Sequence, residues 1–167
     1  MVKIKKMIIP MLAFLCIVST SLMTVVLWNI SKTSKKEAVF IPPNFDVEAI
    51  RGKPQPPQEL EWSELFKEGM RFKVGICGKF VADGNTADVF FSNSAENEVW
   101  LKLRVFDEQN NIISETGLIK PNEYIKSVKF NRTVLDGEKI KIKVMAYEPE
   151  TYYSEASIVL NTIIKLI

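Results

Sequence analysis

Few side chains in this sequence are placed to act chemically, and each such place has a plain structural alternative. Asp83-Gly84-Asn85, followed by Asp88, sets oxygen atoms at near-alternating positions, as a loop for a hard cation such as calcium does. Such a loop closes on an acidic residue at its twelfth position, which here is Ser94. Asp-Gly is also a strong hairpin signal, so a turn is expected and no metal site. Cys77 stands between Ile76 and Gly78 with no histidine to activate it, and reads as a small buried residue. Asp107 and Glu108 fall in a turn, where carboxylates are expected to be solvated, whereas a glycosidase pair must face across a cleft. No serine sits in a nucleophile elbow and no glycine-rich phosphate loop occurs. The 167 residues contain no histidine, which removes the commonest general base and the commonest transition-metal ligand. The expectation is a non-enzymatic chain with no catalytic, cofactor-binding or metal-binding residues.

What remains is aromatic. Trp100, Phe106, Met145 and Tyr147 fall on the outward-reading faces of their strands, and Tyr152 and Tyr153 lie in a loop just beyond. Exposed aromatics mark contact surfaces, so Trp100, Phe106, Tyr147, Tyr152 and Tyr153 are the candidate partner-contact residues. The competing reading is that upstream apolar residues, among them Trp62 and Phe66, cover them.

Strands must position these residues. From Met70 the apolar period is two: Phe72, Val74 and Ile76, then Ala87, Val89 and Phe91 beyond the Asp83-Gly84 turn. The clearest strand runs from Glu98 to Asp107, with Val99, Leu101, Leu103 and Val105 on one face. Further strands are expected at 112–115, 123–130, 138–147 and 154–164. In the strand at 138–147, Lys139, Lys141 and Lys143 face outward against Ile140, Ile142 and Val144. Seven strands in about 100 residues, each with one apolar face, predict a mainly β fold: an antiparallel immunoglobulin- or fibronectin-like β-sandwich at 70–167. The disulfide of antibody domains is missing, since Cys16 and Cys77 are far apart and lie in different regions, and Lys139 stands where a corner tyrosine would be. Gly75 and Gly78 point to a bulge or a crossing between sheets.

The upstream third has a different character. Met7 to Ile30 is an uncharged run of about two dozen residues, enough to cross a ~30 Å hydrocarbon core. Apolar residues resume after Ser19-Thr20-Ser21, which argues for an uncleaved anchor rather than a removed signal peptide. Three lysines flank each side, so charge alone does not orient the span; the short KIKK tail favours an N-terminus inside the cell. The predicted plan is a basic cytoplasmic tail at 1–6, a transmembrane helix (signal anchor) at 7–30, a Pro-rich linker at 31–60 and a short helix at 61–69. Ser63 would cap that helix and Gly69 stop it. Phe40, Ile41, Phe45, Val47 and Ile50 are more apolar than a free linker requires, so part of the linker is expected to lie against the domain. Residues 1–36 hold six of the 22 basic residues and none of the 20 acidic ones, leaving 16 against 20 in the remainder. That mildly acidic remainder argues against nucleic acid as a partner.

The runs VWLKLRVFDEQNNIISETGLIKPNEYIKSVKF and KVMAYEPETYYS, with PPNFDVEAI, SELFKEGM and KVGICG upstream, resemble a group of uncharacterised single-span extracytoplasmic proteins of Gram-positive bacteria. The resemblance covers roughly residues 40–165. It implies an extracytoplasmic location and an immunoglobulin-like β-sandwich, and brings no catalytic or binding residues with it. The functional expectation is a membrane-anchored, non-enzymatic binding or surface-assembly module. Its partner would be an envelope or surface protein or a wall polymer, and its oligomeric state is left open. The alternative is an accessory subunit of a membrane complex, packing through the apolar helix by Ser19, Thr20, Ser21 and Thr24.

Overall fold

The computed structural model describes residues 16–25, 28, 40–66 and 68–167. Residues 16–25 and 28 are helical. The rest of the predicted 7–30 span, the 1–6 tail and linker residues 31–39 lie outside the described residues. Among the described residues no helix is long and apolar enough to cross a membrane. Within the helix the hydroxyls of Ser19, Ser21 and Thr24 donate to backbone carbonyls of Cys16, Ile17 and Ser21 at 2.7–2.9 Å, and Thr20 lies 3.0 Å from those of Cys16 and Ile17. These hydroxyls are therefore satisfied by their own helix.

The second compact unit runs from Pro42 to Ile167 and is mainly β, as its alternation predicts. Its strands are β1 (Ile50–Arg51), β2 (Trp62–Leu65), β3 (Val74–Cys77), β4 (Phe80–Asp83), β5 (Thr86–Asn93), β6 (Trp100–Phe106), β7 (Ile112–Glu115), β8 (Glu123–Lys129), β9 (Lys139–Tyr147) and β10 (Ser154–Leu166). They form one curled mixed sheet in the order β1-β8-β5-β4-β10-β9-β6-β7, with β3 also on β5 and β2 on β3. β10 carries the curl. It pairs antiparallel with β9 as far as Ile163↔Lys139, then parallel with β4 from Ile164↔Phe80. The inner faces of both halves meet in a single core that includes Phe80, Phe91, Leu101, Leu103, Val144 and Ile164.

Three points differ from the sequence expectation. The first of the seven expected strands is divided into β3 and β4 and the other six correspond to β5–β10; β1 and β2 are additional, and the β4–β10 pair is parallel where an all-antiparallel sheet was expected. The split of the first expected strand into β3 and β4 falls at Gly78-Lys79, where a glycine had signalled an irregularity. Within the expected helix at 61–69, Trp62–Leu65 is instead strand β2. Leu60 ends a single 3-10 turn (Gln58–Leu60), and Glu61 takes a left-handed conformation at φ 53°, which turns the chain into pairing with β3. Ser63 is thus mid-strand, opposite Ile76, and caps nothing. Unpaired backbone on β3 and a place for the indole outweigh the local helix signals. Finally, the compact unit begins at Pro42 and not at residue 70, while part of the linker lies against it as its apolar residues predict, through β1 on β8 and the bridge Phe45↔Leu118.

Trp62 has a built seat. Its Nε1–H donates to the carbonyl of Phe90 at 2.8 Å. Phe90 sits at φ 42° in a bulge between Asp88 and Phe91, which directs its ring away from the main core into a second cluster with Leu60 and Cys77. Trp62, Val81 and Tyr124 pack against that cluster. The indole fits only because residue 75 is glycine: a Cβ there would lie 2.3 Å from Trp62 Cζ2 and 2.2 Å from Ser92 Oγ. We predict that Gly75→Ala destabilises the fold by about 1–3 kcal/mol through overpacking. Urea unfolding reads this directly, and an unchanged midpoint would contradict the packing described.

Candidate contact surface

The outer face of the β7-β6-β9-β10 half presents most of the sequence candidates. Side chains alternate along β6, so Leu101, Leu103 and Val105 are fully buried while Trp100, Lys102, Arg104 and Phe106 project outward. The register places Trp100 beside Tyr147, Lys102 beside Met145, Arg104 beside Lys143 and Phe106 beside Lys141. Lys139, Lys141 and Lys143 project outward from β9, as their alternation predicts.

The structure brings three of the five aromatic candidates together. Trp100 and Tyr147 are cross-strand neighbours, and the Tyr152 ring meets Trp100 edge-on with centroids 5.1 Å apart. Tyr152 is placed by a loop with φ 70° at Glu150 and φ 57° at Tyr152 itself, tied by Tyr152 N–H to Glu148 C=O at 3.0 Å. Tyr153 is 76% exposed and Phe106 stands at the opposite end of β6, about 20 Å along the strand from Trp100 at ~3.3 Å per residue.

A residue outside that candidate set completes the cluster. Phe45 packs edge-on against Trp100 at 4.8 Å, and Lys120 Nζ lies 4.6 Å from the Phe45 ring. Phe45 is delivered by main-chain bonds from Asp46 N–H to Leu118 C=O and from Leu118 N–H to Asn44 C=O, both 2.9 Å. The Asp46 carboxylate accepts from Gly117 N–H at 2.7 Å. Gly117 allows this approach, since a Cβ there would lie 2.4 Å from Asp46 N. The excess apolar character of the linker was the sequence signal for Phe45; nothing in the sequence marked Gly117. The covering of the aromatics by upstream sequence thus holds for Trp100 through Phe45. It does not hold for Trp62, which is seated at Phe90, nor for Phe66, which is 57% exposed with Lys73 Nζ 5.7 Å from its ring.

The electrostatics of this face are cationic. Lys102, only 8% exposed, has its ammonium 3.2 Å from Glu115. The same carboxylate accepts from Arg104 Nε at 2.9 Å. Burial pushes the Glu115 carboxyl up, but the bonds and charges of Arg104 and Lys102 outweigh it and hold it below the usual range. Lys141 donates to Asn110 Oδ1 at 2.5 Å, Lys139 approaches Glu108 only to 3.8 Å, and Lys143 has no ion-pair partner among the described residues. Between the Asp107–Asn110 turn and the end of β10 lies an open groove of about 490 Å³, bordered by Glu108, Lys139, Lys141, Asn161 and Ile163.

Asp107 corrects the expectation of a solvated turn carboxylate. It is buried, accepting from Asn111 N–H at 2.8 Å and Asn111 Nδ2 at 3.0 Å, with Arg132 3.7 Å away. Arg132 also pairs with Glu138, which accepts from Leu135 N–H at 3.0 Å. Asn111 in the first case and Arg132 in the second hold the two carboxyls below their ordinary values. Glu108 beside it is exposed. Asp83 pairs with Thr86 across a two-residue tip at Gly84 (φ 58°), so that stretch is a hairpin turn. Cys77 is buried, and burial, aided by the charge of Asp88, pushes its thiol up to about 12, the reverse of what a nucleophile needs. No protein-family model matches the chain, and no curated protein matches it.

Because Asp107 and Glu138 have lowered folded-state values, the stability they supply is present above their unfolded values of 3.8 and 4.5 and is lost as pH falls through the folded ones. The urea midpoint is therefore expected to drop between pH 6 and pH 3, with a shallower drop in Asp107→Asn and Glu138→Gln. A flat acid limb in the parent protein would contradict the pairing.

Proposed function

We propose that this chain is a membrane-anchored, extracytoplasmic binding module without enzymatic activity. In this reading its apolar N-terminal segment is a single span, with the N-terminus in the cytoplasm and the unit from Pro42 onward outside. The curled sheet is then an opened sandwich of the immunoglobulin or fibronectin kind, in keeping with the Gram-positive group that the sequence resembles. Two sheet halves packed about one core support that reading.

The observation that carries the binding role is the row Lys139, Lys141 and Lys143 on the outer face, in a unit whose overall charge is mildly acidic. Alternate residues on a strand repeat about every 6.6–6.8 Å, so the row is a straight line of cations. It is flanked by the exposed Val159 and Ile163 and ends near the Trp100 cluster. A line of cations reads repeated negative charge more than it reads shape. Among the partners open to an envelope module, an anionic wall polymer fits it best. The raised Cys77 thiol and the tightly paired carboxylates favour binding over catalysis.

The full chain in mild detergent should cosediment with isolated Gram-positive cell walls at low salt, and binding should fall steeply as salt rises. Replacing all three lysines by Glu should abolish it. Binding that ignores both salt and the charge reversal would contradict the proposal.

A further inference from the structure

Among the described residues β10 pairs with strands on both sides only toward its end, from Ile164 onward. Ile164 N–H donates to Glu138 C=O, and Gly137 N–H donates to Ile164 C=O, each at 2.8 Å. The backbone of Ile164 therefore faces the β9 side, and alternation gives the same direction to Thr162, Leu160 and Ile158. Ser157, Val159 and Asn161 turn their N–H and C=O groups the other way. From Ile164 onward β4 occupies that other side; before it, no strand among the described residues does. The hydroxyl of Thr162 donates to Gly78 C=O at 3.3 Å.

Natural edges are blunted by charge, proline or irregularity. Ala156–Ile163 reads ASIVLNTI, eight residues with no charge, no proline and no glycine; the one register shift lies before Ala156. Val159 is 51% exposed. Ile158 and Leu160 are only half-buried, and together with Val159 they border an open groove lined on its other side by Leu65, Glu68, Gly69 and Met70.

We propose that a second copy of this chain pairs with this edge, β10 antiparallel to β10 about a two-fold axis at Val159. The run is its own complement in that register. Val159 meets its twin, Ser157 meets the partner subunit's Asn161, and on the inner face Ile158 meets the partner subunit's Leu160. No like charges stand opposite one another. Glu155, the one charge bordering the run on its N-terminal side, falls opposite the partner subunit's Ile163, next to the partner subunit's Lys139. The two lysine rows on β9 stay three strand spacings apart, about 14–15 Å, beyond the ~8 Å screening length at physiological salt. About six backbone hydrogen bonds form, two at each pair of residues that face across the edge. This inference is independent of the wall-polymer reading.

Sedimentation velocity of the full chain in mild detergent tests it. The parent protein should be a dimer. Val159→Pro removes an N–H that β9 does not use, and Val159→Lys sets two ammonium groups opposite each other at the axis. Both should be monomers with the far-UV circular dichroism of the parent, and if the proline variant fails to fold the lysine variant decides. A monomeric parent at every concentration, or a dimer that survives in either folded variant, as one held by the apolar N-terminal segment would, overturns the proposal.

Discussion

One strand serving two neighbours holds the unit together. β10 gives its first ten residues to β9 and its last three to β4, reversing the sense of its pairing from antiparallel to parallel at Ile164. Ile164 is fully buried at that switch, and burying such a side chain contributes about 1.5–3 kcal/mol. Against a net stability of about 5–15 kcal/mol for a domain, that is a large share for one residue. It is also the place where the sheet curls, so the two inner faces meet over it.

The sequence carries two kinds of information here, and they differ in legibility. Strict alternation in β6 and β9 marked the buried Leu101, Leu103, Ile142 and Val144 and the outward lysines without ambiguity. Period two is a local property, readable from a few residues. β2 was not legible, because Ser63, Leu65 and Gly69 carry helix signals and the forces that overrule them come from β3, Gly75 and the Phe90 carbonyl, all distant in sequence. The buried Asp107 was missed for the same reason. Its burial depends on Arg132, far along the chain, as well as on nearby Asn111. The aromatic candidates were half legible: alternation put Trp100 and Tyr147 on one face, but the stack needs Phe45, held by Asp46 and Gly117.

The two glycines with crowded surroundings have a common role. Gly75 admits the Trp62 indole to one side of the sheet, and Gly117 admits the Asn44–Asp46 backbone to the edge of the aromatic cluster. Gly75 thus brings in a segment that reads as a short helix, and Gly117 one that reads as linker. In this way a chain with a modest core extends its buried surface using sequence that alternation does not mark. What these segments leave uncovered includes the lysine row, the groove beside it and the outer edge of β10 before Ile164.

Through its two pairings β10 should make the two sheet halves one cooperative unit. Deleting Ile164–Ile167 removes the β4 pairing and the two bonds of Ile164 to Gly137 and Glu138, and leaves the β9 register from Ser154 to Ile163 in place. The measurement is urea unfolding followed by both far-UV circular dichroism and tryptophan fluorescence. The shortened chain should lose its cooperative transition by both probes. A shortened chain that unfolds with the midpoint and slope of the full chain would contradict it.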